Sequence, residues 1–424
     1  MAAFLKKLGL KNKASLILAP LENSKAVTLL VLFGLGSKYE QKRIQGISHL
    51  LEHLVFKGTQ RRPDHLAISR ELDQVGGLYN AFTSKEYLGF WVKVTPLHLE
   101  LALDVLSDLI LNPKLDPLEI EKEKKVILEE IRMIKDDPQS FVEELWEKLL
   151  YGETPMGFSI LGTPTSLKRI KRADLENWRK TYFVGENAVI VLAGSFEKDV
   201  FSKVSRYFQL ERGSLKQSFK TQEFQKKPAI ILEKRKTDQT HLILGVRTFG
   251  LLDKRRYPLA VLANLLGGIM SSRIFTQLRE KKSLCYYVTT NSFHYTDAGY
   301  LATQAGVNND NVLEAIKIIL NEYQEIAQKG VSEQELKISK ENLKGKILLG
   351  LETSNSWANY LGLQELLEKN ISLPQRECAL IEKVTLKDIK KVAREIFQPQ
   401  RLNLALVGPV SSKEKLEKIF NFTF

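Results

Sequence analysis

The chain reads twice. Elements of the same kind recur in the same order about 210 to 216 residues apart, and each copy of such a repeat must find cover for its own apolar faces. Near the start of each half stand two apolar, β-rich runs, residues 14–19 with 27–33 and residues 229–232 with 241–246, each pair expected as a hairpin or as neighbouring strands. Further on, an extended run (88–94, then 298–303) leads into a helix (96–111, then 311–329), and a second helix follows (116–134, then 332–349). Each half closes on a helix and an apolar strand, 175–182 with 188–193 and 386–397 with 402–407. The expected fold class is α+β: two homologous repeated domains, each a mostly antiparallel sheet packed with helices. Residues 209–227, rich in Lys, Gln and Ser and without apolar periodicity, read as the join. The expected division is 1–212, a linker at 213–227, and 228–424.

Composition narrows the class. Of 424 residues, 43% are hydrophobic and 27% charged, as in soluble globular proteins. The net charge of +13 suggests a nucleic-acid or membrane surface partner, but Lys and Arg are interleaved with Glu along the helical stretches instead of forming one basic face, so neither partner is expected. The amino-terminal run from Met1 is basic without a continuous apolar core, and neither a signal peptide nor a spanning helix is expected. The two cysteines, Cys285 and Cys378, form no C-x-x-C pair, which favours free thiols and a cytoplasmic setting.

The chemistry gathers at His49-Leu50-Leu51-Glu52-His53. Residues four apart share a helix face, so the two imidazoles can reach one Zn²⁺. Glu52 lies beside them, placed to deprotonate water without binding the metal; this is the H-x-x-E-H order of the inverzincins. The other four histidines, His65, His98, His241 and His294, have no such partner. A catalytic zinc takes a third protein ligand, and the helix at 116–134 offers several glutamates. Advancing about 100° per residue from Ile120 places Ile127, Ile131 and Ile134 on a buried stripe. Glu123 and Glu130 fall at its edge and Glu129 on the solvent side, so one of the first two is the expected ligand and the other its support. The second half has no His pair, and Ser339 and Lys346 stand at the positions matching Glu123 and Glu130.

Several motifs in order then carry a resemblance: Gly36-Ser37-Lys38-Tyr39-Glu40, the run from Gly46 through His49 and His53 to Thr59, Gly76-Gly77-Leu78-Tyr79-Asn80-Ala81-Phe82-Thr83, Glu123, and Val126 through Glu130 to Ile131. Over nearly its whole length the chain resembles the pitrilysin/insulysin family of zinc peptidases, in the short-chain branch that contains the mitochondrial processing peptidase. The resemblance implies one Zn²⁺ per chain held by His49, His53 and Glu130, with Glu52 and Glu123 as the catalytic carboxylates, Glu52 as general base and Glu123 behind the ligands. It implies further that Arg279 and Tyr286 of the second half bind substrate and the developing oxyanion, and that Asn80 and Ala81 lie on an edge strand that pairs with an extended substrate. The expected activity is zinc-dependent endopeptidase cleavage of peptides or unfolded segments, with a zinc-activated water, inside a chamber formed by a homodimer. The alternative is a non-catalytic structural subunit, which would be expected to have lost the metal motif.

Overall fold

A computed structural model describes residues 5–223, 225–410 and 413–419. The first residues of the amino-terminal run, 1–4, lie outside them. The chain forms two compact units, each with one sheet.

The first unit has six strands: β1 (Lys6–Gly9), β2 (Ser15–Pro20), β3 (Val27–Phe33), β4 (Leu78–Thr83), β5 (Leu88–Val94) and β6 (Ala188–Gly194). Their order is β1-β2-β6-β3-β5-β4, antiparallel throughout except that β2 and β6 run parallel. The second unit has β7 (Ala229–Lys234), β8 (Gln239–Thr248), β9 (Cys285–His294), β10 (Gly299–Asn308) and β11 (Leu402–Gly408), ordered β7-β11-β8-β10-β9, again with one parallel pair, β7 with β11. Strand for strand the second order repeats the first without β1, so the duplication and the α+β class expected from sequence are both present.

The early strands of each half are not partners, contrary to the hairpin or neighbour expectation. The last strand of each unit is inserted between them, β6 between β2 and β3 and β11 between β7 and β8. A late strand finds that slot because alternate residues of β2 and β3 are apolar on both faces, which suits the middle of a sheet and not a two-stranded ribbon.

Both faces of each sheet are covered. In the first unit Leu16, Leu29, Val31, Phe90 and Leu192 face helices α1 (Ile47–Val55), α3 (Leu99–Leu111) and α7 (Arg172–Tyr182), named with α2 (His65–Asp73), α4 (Pro117–Asp136), α5 (Pro138–Tyr151) and α6 (Pro164–Arg169) in chain order. The alternate residues Ile17, Leu30, Leu32 and Val191 face Ala358 and Leu361 of helix Ser354–Leu363. That helix comes close because it has Gly362 at the contact: a Cβ there would stand 2.7 Å from Leu32. The second unit mirrors this, with Ile243, Tyr300 and Ala405 covered by Val142, Trp146 and Leu150 of α5. Each sheet therefore borrows a helix from the other half of the sequence. The first unit comprises residues 1–131, 158–219 and 350–371, the second 132–157, 220–349 and 372–424. A division into two continuous blocks, 1–212 and 228–424, does not contain this exchange. Residues 209–227 carry no helix or strand among those described, and Cys285 and Cys378 are both free.

The run Arg256–Lys281 is long and apolar enough to cross a membrane by length and composition alone. It is broken at Ile269, which is extended, and its Leu259, Leu262, Leu266, Ile274 and Leu278 belong to the second unit's core. On the second unit's helix Glu333–Leu349, Arg273 donates two hydrogen bonds to Glu335, at 2.6 and 2.9 Å, and holds its carboxyl down at about 2. A carboxyl depressed in the folded state adds stability above its unfolded value near 4.5, and loses it as pH falls toward 2. Glu335→Gln should therefore cost about 1 kcal/mol at neutral pH, after solvent screening of a partly exposed pair. The deficit against the native chain should shrink between pH 5 and 3, as urea unfolding at several pH values would show.

Candidate metal centre

Helix α1 turns Ile47, Leu50, Leu51, Leu54 and Val55 into the core. That choice leaves His49, Glu52 and His53, spaced i, i+3, i+4, together on its other side. The two imidazole rings lie 4.6 Å apart, centroid to centroid. Helix α4 buries Ile120, Ile127 and Ile131 and brings two carboxylates to them. Glu123 is buried and Glu130 half-buried, while Glu129 faces solvent, as the helical phase predicts.

The two carboxylates do different work. Glu123 Oε2 accepts a hydrogen bond from His53 Nδ1 at 3.0 Å, and its Oε1 pairs with Lys57 Nζ at 2.8 Å. With Nδ1 carrying the proton, the Nε2 lone pair of His53 points away from Glu123. Glu130 lies on that side: its Oε1 is 3.8 Å from His53 Nε2 and its Oε2 3.9 Å from His49 Nε2. One donor atom each from His49, His53 and Glu130 falls within 4.8 Å of the others. Glu123 thus meets the donor set at His53 Nδ1.

Two observations say that these residues fit a zinc ion. The Glu130 side chain is 35% exposed, yet its Oε2 is buried and accepts no hydrogen bond. A buried carboxylate oxygen without a partner is costly, and a cation between the two imidazoles would satisfy it. Tetrahedral zinc sets its ligands roughly 3.4 Å apart, within a small side-chain rotation of the separations seen. Burial and the neighbouring His53 push the His49 imidazole down to about 3, so it stays neutral and its lone pair available. Burial also works to lower His53, but Glu123, Glu130 and Glu52 outweigh it and the net shift is upward.

Glu52 projects beside the donors and accepts a hydrogen bond on Oε2 from Thr83 Oγ1. Burial raises its carboxyl, with Glu130 adding and Thr83 and His53 opposing. Thr83 ends β4, which carries Asn80 and Ala81 and forms the edge of its sheet. The Ala81 N–H is taken by the side chain of Asn80 itself, at 2.8 Å, and Leu78 is 59% exposed. Arg279 and Tyr286 belong to the second unit. Arg279 lies in the wide helical turn Thr276–Lys281 with its guanidinium 5.3 Å from the Phe275 ring centre, and Tyr286, on β9, is 74% exposed.

In the second unit other side chains stand at the matching places. There Asn264 donates to Ser339 Oγ at 3.1 Å, and Lys346 donates to the Gly268 carbonyl at 2.9 Å. Neutral hydrogen bonds and a lysine occupy the positions that match Glu123 and Glu130. Lys57 and Thr83 were not singled out from sequence; both sit inside the quoted motifs, but no spacing rule ties them to Glu123 or Glu52.

The chain belongs to peptidase family M16. Residues 16–164 match the family described as insulinase (peptidase family M16), and residues 169–343 match the peptidase M16 inactive domain. An uncharacterized zinc protease of Bacillus subtilis is 33% identical over 406 residues, covering 96% of this chain and 98% of its own. One from Mycobacterium leprae is 34% identical over 393 residues, covering 92% and 88%. The solved structure of a protease from Helicobacter pylori has the same fold, with a TM-score of 0.88 at 22% identity over 96% of this chain and all of that one.

Separating the neighbouring glutamates tests the ligand set. Glu130→Gln should weaken zinc binding by more than the roughly 10–100-fold that an outer partner is worth, and Glu129→Gln should leave it within about twofold. Zinc competition against a chelator reads both, and the opposite ranking would dismantle the assignment.

Proposed function

We propose that the protein is a zinc-dependent endopeptidase acting on peptides and unfolded segments. The observation that carries this reading is the convergence of His49, His53 and Glu130 beside Glu52, with the open strand β4 joined to Glu52 through Thr83. Zinc, one per chain, would be held by those three side chains, and when bound supplies the Lewis acidity that acidifies water and polarises a scissile carbonyl.

The rest is done by the chain. A peptide adds to the free edge of β4, its carbonyl displacing the Asn80 side chain from the Ala81 N–H. Main-chain pairing of that kind reads little sequence, which suits varied unfolded substrates. Thr83 occupies Oε2 of Glu52 and leaves Oε1 for water. Glu52 takes a proton as the water oxygen attacks the carbonyl carbon, then returns it to the amide nitrogen as the C–N bond breaks. Arg279 and Tyr286 donate to the substrate carbonyl and to the oxyanion that develops on it.

Because one chain carries both the metal donors and the Arg/Tyr pair, we assign a homodimer whose units enclose a chamber that admits only unfolded substrates, working in the cytoplasm. Zinc analysis together with cleavage of an unfolded polypeptide, with and without chelator, tests the function. A chain that cleaves equally well after its metal is stripped would not be a zinc peptidase.

A further inference from the structure

We propose that Glu40 is a positioning residue for the metal centre: its buried carboxylate holds the first turn of α1 and thereby sets the spacing of His49 and His53. The proposal rests on the reading that those histidines hold zinc.

Helix α1 lacks the usual means of starting. A helix leaves its first N–H groups without partners, and a Ser, Thr, Asp or Asn at the N-cap commonly takes one. Here the N-cap is Gly46, with φ +86 and no side chain to offer. Glu40, six residues earlier and fully buried, supplies the acceptors instead. Its Oε2 accepts from Gly46 N at 2.7 Å and its Oε1 from Ser48 N at 3.0 Å. Ser48 is the residue before His49, so the bond fixes the backbone on which that ligand stands.

The turn is held from its other sides as well. Ser166 Oγ donates to the Gln45 carbonyl at 2.8 Å, and Trp178 Nε1 donates to Ser48 Oγ at 3.2 Å. An added Cβ on Gly46 would lie 2.6 Å from the Leu161 carbonyl oxygen. The segment bearing Glu40 also grips the turn after β4. Lys38 N donates to the Lys85 carbonyl at 2.9 Å, and Lys38 Nζ pairs with Glu86 at 2.8 Å, both side chains buried. The segment 38–40 therefore joins the start of the helix carrying His49 and Glu52 to the turn that follows Thr83.

Stability alone is a poor reason for this arrangement. A short polar N-cap would satisfy the helix start without burying a charge, and burial pushes the Glu40 carboxyl up to about 7 against the two N–H groups and Lys85. What the longer reach achieves is to fasten α1 to a third element, which a local cap cannot do.

The test compares zinc dissociation constants, by chelator competition, for the native chain, Glu40→Gln and Glu40→Asp, with Arg62→Lys as the control. The buried Arg62 pairs with Glu71 on α2 and with Asp104 and Asp108 on α3, none of which is on α1. Glu40→Gln puts an amide donor against one of the two N–H groups and should weaken zinc binding about 10- to 100-fold, as loss of an outer partner does. Glu40→Asp keeps the charge but spans only one N–H group; it should fall between, and it decides the question if the Gln variant does not fold. Arg62→Lys should lower the unfolding midpoint of the zinc-stripped protein while leaving zinc affinity within about threefold. Glu40 variants that lose stability yet bind zinc as tightly as the control would overturn the proposal alone. A native chain that takes up no zinc would overturn the reading beneath it.

Discussion

Glu52→Gln is expected to bind zinc as tightly as the native chain and to lose turnover by about 10²- to 10⁴-fold, the usual worth of a general base. The amide can still receive the Thr83 hydrogen bond and hydrogen-bond to water, so the shape of the site survives. What it cannot do is accept a proton. Burial that raises the Glu52 carboxyl makes it a stronger base than an exposed glutamate once it has ionised, and that advantage disappears with the substitution. Metal analysis and cleavage of an unfolded peptide on the same preparation decide the matter. Retained turnover in a zinc-loaded variant would remove Glu52 from the chemistry.

An effect of similar size is expected from the second unit. The pair Arg279→Ala with Tyr286→Phe should reduce kcat/KM by several orders of magnitude, since each donor to a developing oxyanion is worth roughly 2 to 4 kcal/mol in a desolvated site. Zinc content should not change, because His49, His53 and Glu130, the proposed donors, all belong to the first unit. Neither side chain is expected to matter for stability: Tyr286 is largely exposed and Arg279 rests against one aromatic ring. A double variant with native kcat/KM would show that the second unit serves only as scaffold.

The convergence of His49, His53 and Glu130 was the most legible part of the sequence because it obeys local geometry. The i, i+4 spacing of His49 and His53 and the apolar phase of α4 follow from one helical repeat, and the same phase set Glu129 apart from Glu123 and Glu130. Strand order was not legible in this way. Pairing β6 between β2 and β3 joins residues far apart in the chain, and apolar alternation says that a strand is buried without saying beside what. Glu40 was visible only as one letter of a motif. Its contacts with Gly46 and Ser48 depend on a left-handed Gly46 and on the loop that seats it, neither of which any periodicity encodes.

The exchanged helices bear on how the protein is made. A ribosome delivers the chain from its amino terminus, and nascent domains generally fold as they emerge. Here the first sheet has Leu30, Leu32 and Val191 waiting on one face for Ala358 and Leu361, so no nascent chain that stops short of residue 371 contains a complete first unit. The first half must wait, partly uncovered, while most of the second half is synthesised. For the same reason, a gene cut at the apparent join would encode two pieces each lacking a wall. The duplication that makes the sequence look divisible is fastened, in the folded chain, by the two helices it trades.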